Sequence, residues 1–176
     1  HMNVPGIVTN GVFLYDFQSE EIISAEAVPV SAAQKVIRAF KDCGMSCFLY
    51  TYDSRGISIY YDGKRMEEQT QYYSDRALQK CAEVTFTKKA EEMVQKGDPV
   101  YLTCTGTEEE LKPVCRKLDE IEEIKYSFYL NIYNGMYCLE VFSAHASKKN
   151  ALKKLMKITG SEELVVFGDN FNDLSM

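Results

Sequence analysis

The feature that most constrains the fold lies near the end of the sequence, where a short apolar run meets carboxyl and amide side chains. The run Leu164–Phe167 is typical of a buried strand, and we predict a strand there. Gly168 and Asp169 follow at once, and Asn172 and Asp173 come shortly after. Carboxylates just past the C-terminal end of a buried strand lie where open α/β sheets bind ligands. The pattern therefore predicts an α/β chain with a ligand site at an edge of its sheet.

The side chains of this segment suit a divalent cation. Asp169, Asn172 and Asp173 offer hard oxygen atoms, and Mg²⁺ usually takes one or two protein carboxylates and completes its shell with water and substrate phosphate. The same residue types are favoured in turns and helix caps without any metal, so that structural alternative stays open. An EF-hand loop fits poorly, because the glycine and distant glutamate of that motif are not in place.

Three segments in order resemble signatures of the haloacid dehalogenase superfamily of phosphohydrolases, and in particular its Cof-type branch, subfamily IIB. Gly168–Asp173 resembles the fourth signature, and Ser147–Leu152 resembles the third, in which a lysine opens a helix. Ile7–Asp16 is similar to the Asn-Gly segment that follows the second. Lys148 fits the signature lysine. Lys149 stands where the family commonly has glycine, so the choice between the two lysines stays open.

The resemblance implies a phosphatase that hydrolyses small phosphorylated metabolites, such as sugar phosphates, through an aspartyl-phosphate intermediate. Mg²⁺ is the implied cofactor, with Asp169 and Asp173 as its residues. Lys148 would neutralise phosphoryl and nucleophile charge, and Asn172 would orient the loop. The Asn10–Gly11 pair would shape the turn beside this site.

The nucleophile of this family is an aspartate in an Asp-x-Asp-Gly-Thr/Ser segment, and the sequence contains no such segment. His1-Met2 looks like a cloning remnant. We therefore expect the 176 residues to be an internal piece of a longer phosphatase, inactive by itself. Two alternatives stay open: a non-catalytic module that binds a phosphorylated ligand or dimerises, and a phosphomutase of the same superfamily.

The predicted elements change character along the chain. Residues 29–142 read as an α+β unit with an antiparallel sheet backed by helices, while 1–28 and 143–176 read as parts of a parallel α/β core. Asn134-Gly135 predicts a two-residue hairpin turn, and Ser31–Gln34 predicts a helix capping box. This order resembles a partial Rossmann-like core with an inserted C2-type cap domain. A helix over 148–159 belongs to the predicted core.

Composition limits the partners. The net charge of −6, without a basic cluster, disfavours nucleic acid, and no apolar run is long enough to span a membrane. The six cysteines lack zinc-site spacing and favour a reducing, cytoplasmic location. The expected partner is a small phosphorylated substrate, together with possible self-association of the truncated core through exposed apolar edges. Five polar residues in predicted loops of the cap are candidates to contact it, although such residues are more often only solvated: Tyr52, Asp53, Arg55, Lys64 and Arg65.

Overall fold

The protein has the mixed α/β fold that its sequence predicts, seen here in a computed structural model that describes residues 4–74 and 82–166. In chain order the elements are β1 (Gly6–Val8), a 3₁₀ turn (Thr9–Gly11), β2 (Phe13–Asp16), β3 (Glu21–Ala25), α1 (Val30–Asp42), β4 (Phe48–Asp53), β5 (Gly56–Tyr61), α2 (Lys64–Ser74), β6 (Ala82–Phe86), α3 (Ala90–Met93), β7 (Asp98–Gly106), α4 (Glu108–Leu118), β8 (Ile124–Leu130), β9 (Tyr137–Ser143) and α5 (Lys148–Thr159). No described helix is both long and apolar enough to cross a membrane.

The chain divides into two compact units. Unit 1 combines His1–Glu26 with Ala144–Met176, and unit 2 is the continuous stretch Ala27–Ser143. The stretch 29–142, which the sequence sets apart as an insertion, lies within unit 2.

Unit 1 contains a small sheet in the order β1-β2-β3, and helix α5 contacts β1, β2 and the 3₁₀ turn. Both strand pairs are antiparallel, so the parallel pairing predicted for the chain ends does not form among the described residues. The reason is the length of the connections. Thr9–Val12 and Phe17–Glu20 are only turns, whereas a parallel crossover needs a dozen or more residues. Lys154 Nζ lies 2.6 Å from Glu26 Oε2 and ties α5 to the segment after β3.

The strand predicted over 164–167 is not formed at its described positions. Residues 161–166 have no regular structure, and Leu164, Val165 and Val166 are 45%, 79% and 38% exposed. A strand is stabilised by hydrogen bonds to a neighbour, and none of the described strands pairs with this run. The apolar composition was therefore insufficient to predict a strand, and Phe167 lies outside the described residues.

Unit 2 is built on a six-stranded sheet in the order β6-β5-β4-β7-β9-β8. Every pair is antiparallel except β5–β6, which is parallel and is connected through the segment that contains α2. Leu49 lies opposite Leu102, which lies opposite Val141, and all three are fully buried. Phe40 of α1 and Leu111 of α4 belong to the same core. The α+β unit predicted for this region is therefore present, with one parallel pair that was not predicted.

The prediction of a capping box at Ser31 is wrong. Helix α1 begins at Val30, its N-cap is Pro29, and no side chain caps it. Ser31 is already inside the helix, so its hydroxyl is not in the capping position. The capping box instead belongs to α4, where Thr107 Oγ1 accepts from the N–H of Glu110 and Glu110 Oε2 accepts from the N–H of Thr107.

The β8–β9 hairpin forms, but its turn is longer than predicted. The N–H of Asn131 donates to the carbonyl of Met136 at 2.8 Å, which leaves residues 132–135 as the loop. A two-residue type I′ turn needs a positive φ at both central residues. Gly135 has a φ of +69°, whereas Asn134 is not among the residues with positive φ. The Asn134 side chain instead accepts a hydrogen bond from the N–H of Met136.

Candidate functional site

The first turn of α5 carries the two candidates for the signature lysine, Lys148 and Lys149. Ser147 is extended (φ −163°, ψ 152°) and its hydroxyl accepts from the N–H of Asn150, which places Lys148 as the first helical residue. The Asn150 side-chain amide donates to the carbonyl of His145 at 2.8 Å and holds the approach to the helix. The sequence predicts this helix over 148–159, and the observed bounds are the same.

The Thr9–Gly11 turn lies against this helix end. Thr9, Asn10 and Gly11 have φ values of 51°, 55° and 92°, a run of left-handed backbone in which two residues are not glycine. A Cβ atom added to Gly11 would lie 2.4 Å from the carbonyl carbon and oxygen of Ser147 and 2.8 Å from the nitrogen of Lys148. Only glycine leaves room for this approach. Two segments that the sequence singles out separately are therefore in contact.

The two adjacent lysines differ in their surroundings. Lys148 is half-buried, whereas Lys149 is exposed. A helix N-terminus presents unpaired backbone N–H groups and a partial positive charge, and an ammonium group at its first residue adds to the attraction for anions. The geometry therefore favours Lys148 over Lys149 as the residue that could bind a phosphoryl group.

The predicted metal residues Asp169 and Asp173, and with them Asn172, lie outside the described residues. Among residues 4–74 and 82–166, no group of three or more histidine, cysteine, aspartate or glutamate side chains could hold a metal ion. The fit to Mg²⁺ therefore depends on the chemistry of the donor set, two carboxylates and one amide, which are oxygen ligands of the kind that this ion takes.

In unit 2, one of the candidate cap residues makes a structural ion pair. Arg65 donates to both carboxylate oxygens of Glu110, at 2.8 and 2.9 Å, and also to the carbonyl of Thr105. The hydrogen bonds from Arg65, together with the one from the Thr107 N–H, lower the pKa of Glu110 to about 2. The pKa of Arg65 is raised by the same pair. Gln69 also donates to the Thr105 carbonyl, so this cluster holds α2 against the start of α4.

Sequence reasoning missed the ion pair between Arg65 and Glu110. The acidic first turn of α4 predicts a favourable interaction with the helix dipole and no more. The spacing from Thr107 to Glu110 is itself a capping-box signal and could have identified half of the cluster. Nothing local to the sequence connects Arg65 with a glutamate 45 positions away.

Two other cap candidates line a hollow on unit 2. Tyr52 and Asp53 border an open cavity of about 440 Å³ together with Lys96 and Asp98. Asp53 also accepts from the Arg55 guanidinium at 2.8 Å, and hydrogen bonds from Arg55 lower its pKa. The hollow offers charges of both signs beside a tyrosine, which suits a small polar molecule.

Comparison with known proteins identifies the family of the chain. The haloacid dehalogenase-like hydrolase family matches residues 1–176. The chain is 24% identical to the pyridoxal phosphate phosphatase YbhA of Escherichia coli over 99% of its own length and 63% of that protein. Among solved structures, TM0651 from Thermotoga maritima is 24% identical, with a TM-score of 0.66 over 95% of this chain and 58% of the other.

The sugar phosphatase BT4131, of the haloacid dehalogenase subclass IIB, shares the fold. It is 18% identical, with a TM-score of 0.60 over 90% of this chain and 54% of that protein. The chain thus spans less than two thirds of each of these three relatives. The match over residues 1–176 shows that the chain belongs to the haloacid dehalogenase-like hydrolase family.

Proposed function

We propose that this chain belongs to a Mg²⁺-dependent phosphatase that hydrolyses small phosphorylated metabolites. Family membership supports a hydrolase. The two relatives with named activities, a pyridoxal phosphate phosphatase and a sugar phosphatase, support phosphate monoesters of small molecules as the substrate class. Sugar phosphates are our first choice, and pyridoxal phosphate is the second.

The observation that carries the proposal is the contact between the Thr9–Gly11 turn and the first turn of α5. It fixes the backbone at Lys148, the first residue of α5, where the partial positive charge of a helix N-terminus adds to the charge of the ammonium group. In the proposed reaction, Lys148 neutralises negative charge on the transferring phosphoryl group. The nucleophile would be an aspartate of the Asp-x-Asp segment that residues 1–176 lack. Its carboxylate would attack phosphorus while the bond from phosphorus to the substrate oxygen breaks, and the substrate would leave as a protonated alcohol. Water would then hydrolyse the aspartyl-phosphate to inorganic phosphate and the free carboxylate.

Asp169 and Asp173 would hold Mg²⁺ in this proposal, and Asn172 would orient the loop between them. When bound, the ion supplies positive charge that neutralises the phosphoryl oxygens. Only three residues separate the two carboxylates in the sequence, which supports their assignment as one site.

Unit 2 is the cap in this proposal, and its contribution is substrate selectivity. The hollow that Tyr52, Asp53, Lys96 and Asp98 border is our candidate for the surface that contacts the non-phosphate part of the substrate. We place the activity in the cytoplasm, because the described cysteines are free thiols, as in a reducing compartment. Nucleic acids and membranes are not partners in this proposal.

The proposal is tested by measuring phosphate release from a panel of sugar phosphates and pyridoxal phosphate, with and without Mg²⁺. The 176-residue chain is compared with the full-length product of its gene and with an Asp169→Asn variant of that product. We expect release only from the unmutated full-length protein and only with Mg²⁺. No release from a folded full-length protein would instead support a non-catalytic phospho-ligand-binding module. Transfer of phosphate to a second sugar hydroxyl would indicate a phosphomutase.

The two lysines provide a matched pair for the same assay. Lys148→Met removes the charge at the first helical residue, and we expect phosphate release to fall by roughly 10²-fold or more. Lys149→Met removes the same charge from the exposed neighbour, and release should stay within about twofold of the unmutated protein. Equal losses in both variants would contradict the assignment of Lys148.

A further inference from the structure

Strand β8 lies at one edge of the unit 2 sheet. It pairs with β9 along its whole length, from Ile124 opposite Ser143 to Leu130 opposite Tyr137, without a bulge. Among the described residues no other strand pairs with it, and no backbone hydrogen bond leaves 125–130 on the outer side. The outer edge of β8 is therefore a regular row of backbone donors and acceptors that can pair with another strand.

The strand has little of the protection that edge strands usually carry. Proteins block such edges with proline, a bulge, charged side chains or a very short strand. β8 has no proline and no bulge, and Lys125 is its single charged residue. Its length, Ile124–Leu130, is above the usual mean for a strand.

Exposed apolar side chains continue the edge into the hairpin loop. Tyr129 and Leu130 are 45% and 47% exposed, and Ile132 and Tyr133 are 81% and 90% exposed. We call the outer edge of β8 with these four residues the β8 patch. No residue of the patch is itself acidic, in a chain whose net charge is −6, and the neighbouring carboxylate of Glu140 accepts a hydrogen bond from the Tyr129 hydroxyl at 2.9 Å. The charge of the patch therefore does not oppose association, although that of the whole chain does.

We propose that the β8 patch is a self-association surface, on which β8 of a second copy of this chain pairs antiparallel. Antiparallel pairing of identical strands is self-complementary, and a two-fold axis relates the copies. With the axis near Ser127, Leu130 lies opposite Ile124 of the second copy, and Lys125 lies opposite Tyr129. The two lysines do not face each other, and apolar groups meet apolar groups.

One strand pair with a short loop on each side gives a small interface. Interfaces below about 1,200 Å² are typical of weak, reversible complexes. We therefore expect a reversible dimer with a Kd on the order of micromolar. This inference does not depend on the proposed function, since it concerns only the edge of the unit 2 sheet.

Sedimentation equilibrium of the 176-residue chain over a concentration series tests the proposal, with circular dichroism as the check on folding. The double variant Leu130→Lys, Ile132→Lys places like charges in the patch and should weaken dimerisation by at least about tenfold. The control is the double variant Leu164→Lys, Val165→Lys, which adds the same two charges at exposed apolar residues of unit 1 and should leave the dimer unchanged. Loss of the dimer in the control alone, or a monomer at every concentration, overturns the proposal.

A second measurement needs no variant. Hydrogen exchange of the unmodified chain is followed at low and high protein concentration. Those amides of 125–130 that point away from β9 should become protected as the dimer forms, while the amides of β3, on the other unit, should not. A dimer that forms without new protection in 125–130 would show that another surface is used.

Discussion

At the scale of single residues, the backbone of the Thr9–Gly11 turn is unusual. A positive φ is uncommon outside glycine, and at a β-branched residue such as Thr9 it is a genuine outlier. Such conformations cost on the order of 1–3 kcal/mol each and persist only when the surrounding structure fixes them. Here the close approach of Gly11 to Ser147 and Lys148 is the fixing contact.

Gly11→Ala is the sharpest test of this contact. The new methyl group would meet backbone atoms at 2.4 Å, and backbone cannot rotate away as a side chain can. We expect the free energy of unfolding of unit 1 to fall by about 2 kcal/mol or more. Urea denaturation measures the effect, with hydrogen exchange of the amides in the first turn of α5 as the probe of unfolding.

Gly160→Ala is the matched control, because Gly160 has a φ of +67° but an added Cβ would meet nothing within 4 Å. It should cost only about 1 kcal/mol, from the left-handed backbone alone. If the two variants were equally destabilised, the contact with Ser147 would not be the cause. The Asn-Gly pair can be identified from the sequence, whereas its contact with a residue more than a hundred positions later depends on the tertiary fold.

At the scale of elements, the sequence predicts helices better than strand partners. The α5 bounds agree because the cap at Ser147 and the apolar spacing are both local to this stretch of sequence. The turn at Asn134-Gly135 and the strand over 164–167 were mispredicted because each depends on a neighbouring strand and its register. The Arg65–Glu110 pair escaped notice for the same reason, since its partners belong to different elements.

Glu110→Gln tests whether that pair stabilises unit 2 in a pH-dependent way. The folded-state pKa of Glu110 is lowered to about 2. The stabilisation is therefore present above the unfolded pKa of about 4.3, and it is lost as the pH falls through the folded pKa. Thermal unfolding is measured at a series of pH values from about 5 to about 2. As the pH falls, the melting temperature of the unmutated protein should decrease more steeply than that of the variant.

Glu109→Gln is the control for this prediction. Glu109 lies in the same first turn of α4 and is exposed, so its replacement changes the helix-dipole interaction without removing the contact with Arg65. Its pH profile should follow that of the unmutated protein. Parallel loss of pH dependence in both variants would assign the effect to the helix dipole instead.

At the scale of the whole molecule, the two units differ in how much apolar surface they bury. In unit 2 the buried core extends from α1 through the sheet to α4. In unit 1 the buried apolar residues, among those described, are few and mostly small or on one strand: Val12, Phe13, Leu14, Ala146 and Ala151. Since apolar burial is the dominant favourable contribution to folding, unit 1 should be the less stable of the two.

Hydrogen exchange of the monomer tests this difference. Amides of β2 and α5 should exchange through openings of lower free energy than those of β4, β7 and β9. The measurement is made at a concentration where sedimentation shows a monomer, so that association does not add protection. Equal protection in the two units would contradict the prediction.

The order of the units along the chain also bears on how the protein is synthesised. The contact between Glu26 and Lys154 joins residues 128 positions apart. Closing a flexible loop of that length costs about 4 kcal/mol of entropy. Unit 2 is continuous in sequence and is complete on the ribosome before α5 exists, so its folding can replace that flexible loop by a compact body. Strands β1, β2 and β3 therefore remain without α5 until unit 2 has been synthesised, and this is the interval in which a chaperone would have most effect.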